Sequence, residues 1–200
     1  MLHAEDRTIS HDGLSTRERI LRATREIFER NGTRGTTTRE VADRAGVNEA
    51  TIFRHFGNKT NLLEAMRGWS AATAGLTAVV DNLSGDLAVD LTLVCNAMYR
   101  GMTYNKAIIR ISLAEEATDP GQLPSCFKAP TEIMHRLVAY LQGHIDSGAI
   151  KGNARQLAAM IMGMMFALAM KSDRLDWGEE GRPEALIPVF VNTFLTGVKN

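Results

Sequence analysis

Two hundred residues with 44% hydrophobic and 6% aromatic content allow a real core, either as one domain or as a small head on a larger body. Lys and Arg number 23 against 23 Asp and Glu, and a formal net charge of zero argues against a non-specific nucleic-acid coat. Five prolines, abundant Ala, Leu and Met, and the lack of a useful alternating run favour an all-α protein.

Residues 1–14 are polar and aperiodic, which predicts a flexible arm; Glu5, Asp6 and Asp12 offset Arg7 and weaken any reading as a basic minor-groove arm. Ser15 followed by Glu18 is a capping box. It opens a helix whose stripe of Ile20, Thr24, Ile27 and Phe28 faces a core, and Asn31-Gly32 closes it. Arg25 and Arg30 on this helix are expected at solvated surface, with backbone phosphates as the alternative.

Thr37 with Glu40 is a second capping box, and Val41, Ala42 and Ala45 give a short apolar face. Gly46 suits a tight left-handed turn, Val47 plugs the angle after it, and Asn48 caps another short helix. On that helix Ile52 and Phe56 face inward, which turns Glu49, Ala50, Phe53 and Arg54 toward solvent or a groove. Gly57 ends it, and Asn58 caps a fourth helix with Lys59 in its first turn, where backbone amides and an ammonium group together suit a phosphate. Two short helices meeting at a glycine, the second with an outward aromatic and cations around it, form a helix-turn-helix. The charge is placed to match: residues 7–67 hold 12 Lys and Arg against 8 Asp and Glu, whereas 68–200 hold 11 against 13.

Residues 16 to about 63 resemble the DNA-binding domain of the TetR family of bacterial transcriptional regulators. The resemblance lies in ILRATREIFERNG, then T-T-x-x-V-A-x-x-A-G-V, then T-I-F-x-H-F-x-x-K-x-x-L-L, and covers roughly a quarter of the chain. It implies a dimer on a near-palindromic operator, usually a repressor, released when a ligand occupies the C-terminal domain. The DNA-facing positions it implies are Thr38, Arg39, Asn48, Glu49, Ala50, Phe53, His55 and Lys59. Arg39 and the start of the second short helix are the implied base readers; Thr38, Phe53, His55 and Lys59 are the implied backbone contacts. Phe53 departs from the family, which most often has tyrosine there, and phenylalanine has no hydroxyl to give a phosphate. The domains expected are an arm to residue 14, a DNA-binding domain over 15–63, and a ligand-binding and dimerisation domain over 64–200. Helix four begins near residue 59 and bridges the last two.

Beyond the head, the pattern Leu62, Met66, Trp69, Thr73 and Leu76 predicts one long helix, with Trp69 at a joint or, alternatively, against a ligand. Asn82 to Asp86 reads as a turn, and Leu87, Leu91, Val94 and Met98 as a helix ending near Arg100-Gly101. Asn105 caps a helix to Ala117, and the proline-rich 119–130 loop carries Phe127, assigned either to packing or to the mouth of a pocket. A strong helix follows with Ile133, Leu137, Tyr140, Leu141 and His144, ending at Gly148; His144 is expected as an ordinary helical histidine, since no metal-ligand spacing surrounds it.

The last two helical patterns are apolar on more than one side. Leu157, Ile161, Met164, Met165 and Leu168, then Leu186, Phe190 and Phe194, resemble in position the family's dimer interface, with monomer-core packing as the competing account. Pro188 implies a kink or a start later than Pro183. Trp69, Met98, Tyr99, Met102, Phe127, Met134 and Phe166 are the ligand-binding candidates, and unbranched thioethers beside aromatic rings suit a hydrophobic or aromatic effector.

Enzyme signatures are absent: there is no G-x-G-x-x-G, no phosphate-binding Gly-Lys-Ser/Thr loop, no H-E-x-x-H and no G-x-S-x-G, and Glu115-Glu116 points to different sides of a helix. No cofactor or metal is expected. Cys95 and Cys126 read as free thiols of a reducing cytoplasm, with a redox switch or a disulfide as alternatives. No signal stretch or membrane span is expected either. The expected partners are double-stranded operator DNA, a small-molecule effector and a second copy of the chain. An activator, a constitutive DNA-binding dimer and a helical protein that binds no DNA are the competing functions.

Overall fold

Ser15 opens α1 (Thr16–Gly35) through the predicted reciprocal box: its hydroxyl accepts the Glu18 N–H at 3.2 Å while Glu18 Oε2 accepts the Ser15 N–H at 2.9 Å. Those same Ser15 bonds hold the Glu18 carboxyl below its usual range. Nine further helices follow among the described residues: α2 (Thr38–Ala45), α3 (Glu49–Phe56), α4 (Lys59–Thr73), α5 (Leu76–Val80), α6 (Leu87–Tyr104), α7 (Lys106–Thr118), α8 (Lys128–Asp146), α9 (Ala154–Lys171) and α10 (Pro183–Val198). The computed structural model describes residues 13–73, 76–118, 128–171 and 182–199. Phe127 and Cys126, assigned roles from sequence, lie outside these.

The chain divides into two compact units. The first holds the described residues through Ser70 together with 110–118 of α7. Its core is Ile20, Ile27 and Phe28 of α1, Val41 and Ala42 of α2, Ile52 and Phe56 of α3, and Leu62, Leu63 and Met66 of α4, all buried. Gly32 leaves the helical region at φ 65° and ψ −170°, so α1 is broken where Asn31-Gly32 predicted, and helical bonding then resumes for a turn. Against that break sits a polar clamp. The Thr33 N–H and hydroxyl donate to the two oxygens of Glu115 at 3.1 and 2.8 Å, and the Arg67 guanidinium, 5.0 Å above the Phe28 ring, donates to Thr33 Oγ1 at 3.2 Å. Arg25 departs from expectation: it is buried, its aliphatic stem covered and its Nε paired with Glu29 at 2.8 Å.

The second unit is built on α6, α8, α9 and α10. Leu91, Val94, Cys95 and Met98 of α6 pack with Leu137 and Leu141 of α8, Leu157, Ile161 and Met165 of α9, and Val191, Phe194 and Leu195 of α10 in one buried cluster. Burial pushes the Cys95 thiol up to about 12, so it is an inert core residue. Within the predicted run through Leu76, α4 is described to Thr73 and α5 from Leu76, and residues 74–75 lie outside the described residues. Helix α6 also runs past Gly101, which is buried inside it, and stops at Asn105, whose N–H and side-chain amide both donate to the Gly101 carbonyl at 3.1 Å. Gly148 breaks the chain after α8 as predicted, and Asn153 caps α9 through the Arg155 and Gln156 N–H groups. Pro183 begins α10, and Pro188 lies within it.

Loop 81–86 is tied down by a buried acid. Asp90 Oδ1 accepts from the Ser84 N–H and hydroxyl, and Oδ2 from the Gly85 N–H and the Tyr140 hydroxyl, all at 2.7 to 2.8 Å. Burial alone would raise this carboxyl's pKa; the Tyr140, Ser84 and Gly85 donors overcome that and hold it at about 2.

Candidate nucleic-acid interface

Everything exposed on α3 depends on how α2 ends. Gly46 adopts φ 66° and ψ 42°, a conformation that costs a side-chain-bearing residue, and the Val47 N–H returns to the Ala42 carbonyl at 3.0 Å. Asn48 Oδ1 then accepts the Thr51 N–H and hydroxyl, both at 2.8 Å, and starts α3. Its carboxamide oxygen is thereby committed to the cap, which leaves the side-chain NH₂ as the group that can donate outward. At the start of α2 the Thr37 hydroxyl accepts the Glu40 N–H at 3.2 Å, the half of the predicted box that the structure contains.

Burial of Ile52 and Phe56 fixes the rotation of α3 and leaves Ala50, Phe53 and Arg54 exposed, with Phe53 45% accessible. His55 is half-buried, its ring 6.0 Å from that of Phe56. Arg17 of α1 lies over the same Phe56 ring, 4.7 Å from its centroid, and Arg44 of α2 pairs with Glu26 of α1 at 2.6 Å. These two arginines brace the three helices together; neither was singled out in the sequence, because an isolated surface arginine carries no pattern.

Arg39, in the first turn of α2, is exposed. Thr38 and Glu49 are half-buried and bonded to each other, the Thr38 hydroxyl donating to Glu49 Oε1. Asn58 Oδ1 accepts the Asn61 N–H at 2.8 Å, so Lys59 is the first residue of α4, with its Nζ 3.5 Å from the Arg34 carbonyl. All eight sequence-predicted DNA-facing residues therefore sit on the starts of α2 and α4 and on α3, around one exposed aromatic. Such a surface offers an exposed guanidinium for a base edge, an ammonium beside a helix N-terminus for a phosphate, and a ring for sugar or a thymine methyl.

The ligand-binding candidates are less uniform. Met98 is fully buried in the core of the second unit, and Tyr99, Met102 and Met134 pack against that core half-buried. Phe166 of α9 is half-buried, and Trp69, also half-buried, belongs to the first unit. A groove of about 630 Å³ opens elsewhere in the second unit, between loop 81–86 and α8, lined by Val80, Leu83, Tyr140 and the Arg136–Asp81 ion pair; none of the candidates lines it. Among the described residues no cluster of His, Cys, Asp or Glu could hold a metal; His144 instead packs edge-on against Tyr140, centroids 4.7 Å apart.

On α9 and α10, Leu157, Ile161, Met165 and Phe194 are buried in their own protomer's core. Met164, Leu168, Leu186 and Phe190 are half-buried, while Met160 and Val189 stand 59% and 62% exposed, with Gly163 and Ala167 exposed on the same helix as Met160. No described helix is long and apolar enough to cross a membrane.

Comparison with known proteins agrees with this geometry. The family model for bacterial regulatory proteins of the tetR family matches residues 20–66, the segment from α1 into α4. The uncharacterized HTH-type transcriptional regulator YvkB of Bacillus subtilis (strain 168) is 34% identical over 152 residues, 76% of this chain and 79% of that one. A protein from Rhodococcus sp. RHA1 superposes with a TM-score of 0.74 at 18% identity, covering 95% of this chain and 98% of that chain. The transcriptional regulator FadR from Bacillus subtilis, solved in complex with stearoyl-CoA, superposes with a TM-score of 0.70 at 19% identity over 90% and 98%. The two structural matches share the fold; YvkB and the family model carry the kinship, and the chain belongs to the TetR family of bacterial transcriptional regulators, DNA-binding proteins rather than enzymes.

Proposed function

We propose that the chain is a repressor that binds a palindromic operator as a homodimer and is released by a small hydrophobic or aromatic effector. The observation that carries the DNA part is the exposed Phe53 on α3 with Arg39 and Lys59 on the neighbouring helix starts. Arg39 reads a base edge, Lys59 and the first-turn amides of α4 take a phosphate, and Phe53 packs on sugar or a thymine methyl. His55 and the Asn48 side-chain NH₂ add backbone donors, and Ala50 permits close approach.

The effector is proposed to enter the second unit near Tyr99, Met102 and Met134, whose half-buried side chains pack against the core that holds Met98. FadR, with the same fold, takes stearoyl-CoA, which supports an apolar effector class. Phe166 of α9 is a further candidate contact, and Phe127, which the sequence also nominates, lies outside the described residues. The second copy is proposed to cover α9 and α10 through Met164, Leu168, Leu186 and Phe190 together with the more exposed Met160 and Val189.

Selection of bound duplexes from a random pool with purified protein tests the DNA reading. A palindrome is expected; no enrichment by folded protein at low salt would reject operator binding. With the operator in hand, operator and effector must oppose each other by equal linkage. An effector that saturates the protein and leaves operator affinity unchanged would remove the release step.

A further inference from the structure

Glu49 is an acid on a surface otherwise suited to a polyanion. It is the first residue of α3, half-buried, and its Oε1 is held by the hydroxyl of Thr38, the first residue of α2. That bond crosses the turn and fixes the carboxylate at the end of α3 that a helix-turn-helix presents to base edges. A carboxylate cannot bind a phosphate, and each of its oxygens is an acceptor only. The major groove offers it two donors, the N4 amine of cytosine and the N6 amine of adenine. Adenine places the N7 acceptor beside its amine, where it repels a carboxylate oxygen; cytosine places a C–H there.

From this geometry we infer that Glu49, oriented by Thr38, reads a cytosine in each operator half-site. The inference rests on the DNA-binding function proposed above and assigns one base of its target. It also changes the expected part of Thr38. A hydroxyl has a single proton, and the one on Thr38 is donated to Glu49, so Thr38 is a positioning residue rather than a phosphate donor. A simple brace between α2 and α3 is the competing account of the same bond, and it predicts no base preference.

Duplex selection with the full chain separates these accounts. The wild-type protein should enrich a palindrome with cytosine at one symmetric position per half-site, preferred by about tenfold or more over other bases. Glu49→Gln should move the preference at that position alone to adenine, since an amide can both donate to N7 and accept from N6. Thr38→Val should flatten the preference there and leave the other positions unchanged. A second measurement needs no variant: replacing that cytosine by 2-pyrimidinone, which lacks the amine, should weaken wild-type binding about tenfold. A wild-type palindrome without a symmetric cytosine, an unchanged motif for Glu49→Gln, or unchanged affinity for the pyrimidinone duplex would each overturn the assignment while leaving operator binding intact. No palindrome at all for the wild-type protein would instead overturn operator binding, and the assignment with it.

Discussion

A phenylalanine ring 45% exposed to water is a poor choice for stability, and at position 53 it stands where a hydroxyl would be useful. Phe53→Tyr should tighten operator binding about two- to twelvefold, the worth of one added hydrogen bond of roughly 0.5–1.5 kcal/mol, measured by titration on a fixed duplex. An unchanged affinity would place the ring away from phosphate. Lys59 makes the opposite test. Lys59→Ala should weaken specific and random duplexes alike and reduce the salt slope by about one, whereas Arg39→Ala should relax preference at particular base pairs. Equal loss on specific and random DNA for Arg39→Ala would remove it from base reading. At this scale the caps and turns that build the candidate site were legible, because they are local chemistry: Asn48, Gly46 and Asn58 act on neighbours a few residues away. The Thr38 to Glu49 bond was not, since both side chains were read as facing outward and only the crossing of two helices brings them together.

Among the elements, the starts of α1, α2, α3 and α4 were legible from Ser15, Thr37, Asn48 and Asn58, while contacts distant in sequence left no trace in it. Glu115 was set aside as one of two adjacent acids, yet it closes on Thr33, 82 residues away, and on Arg67. The end of α6 was placed too early because a glycine ordinarily weakens a helix, but buried packing around Gly101 outweighs that propensity of roughly 1 kcal/mol. Asp90 gives the testable case. Its carboxyl is held at about 2, below the ordinary 3.8, so the stability it contributes is full above about pH 4 and is lost as pH falls toward 2. Asp90→Asn replaces acceptors facing four donors with an amide that can satisfy at most part of them, at a cost of about 2–3 kcal/mol. The melting temperature at neutral pH should fall by roughly 5–10 °C, and the acid limb of the stability curve should flatten below pH 4. A variant with the same melting temperature and the same acid limb would show that loop 81–86 does not need the anchor.

For the molecule as a whole, a palindromic target demands a second copy, and the surface that meets it is the question the sequence answered least. A helix that is apolar all round has no direction of its own, so the pattern in α9 and α10 could not tell core from interface. Burial resolves part of it: Leu157, Ile161, Met165 and Phe194 are consumed by the protomer's core, and Met160 and Val189 are the large apolar residues left outside on these helices. Exposed glycine and alanine beside Met160 would allow two helices to approach closely. If this face pairs the copies, Val189→Glu buries a carboxylate against its own twofold mate, where desolvation and like-charge repulsion add. Sedimentation velocity should then show a species of 22.0 kDa at concentrations where the wild-type chain is twice that mass. On DNA the loss should be selective. Affinity for the full palindrome should fall about a hundredfold as the second head's effective concentration is lost, while affinity for an isolated half-site should hold, because Arg39, Phe53 and Lys59 are untouched. A Val189→Glu chain that stays dimeric would move the interface off this face, and one that becomes monomeric yet binds the palindrome as before would break the link between dimerisation and operator recognition.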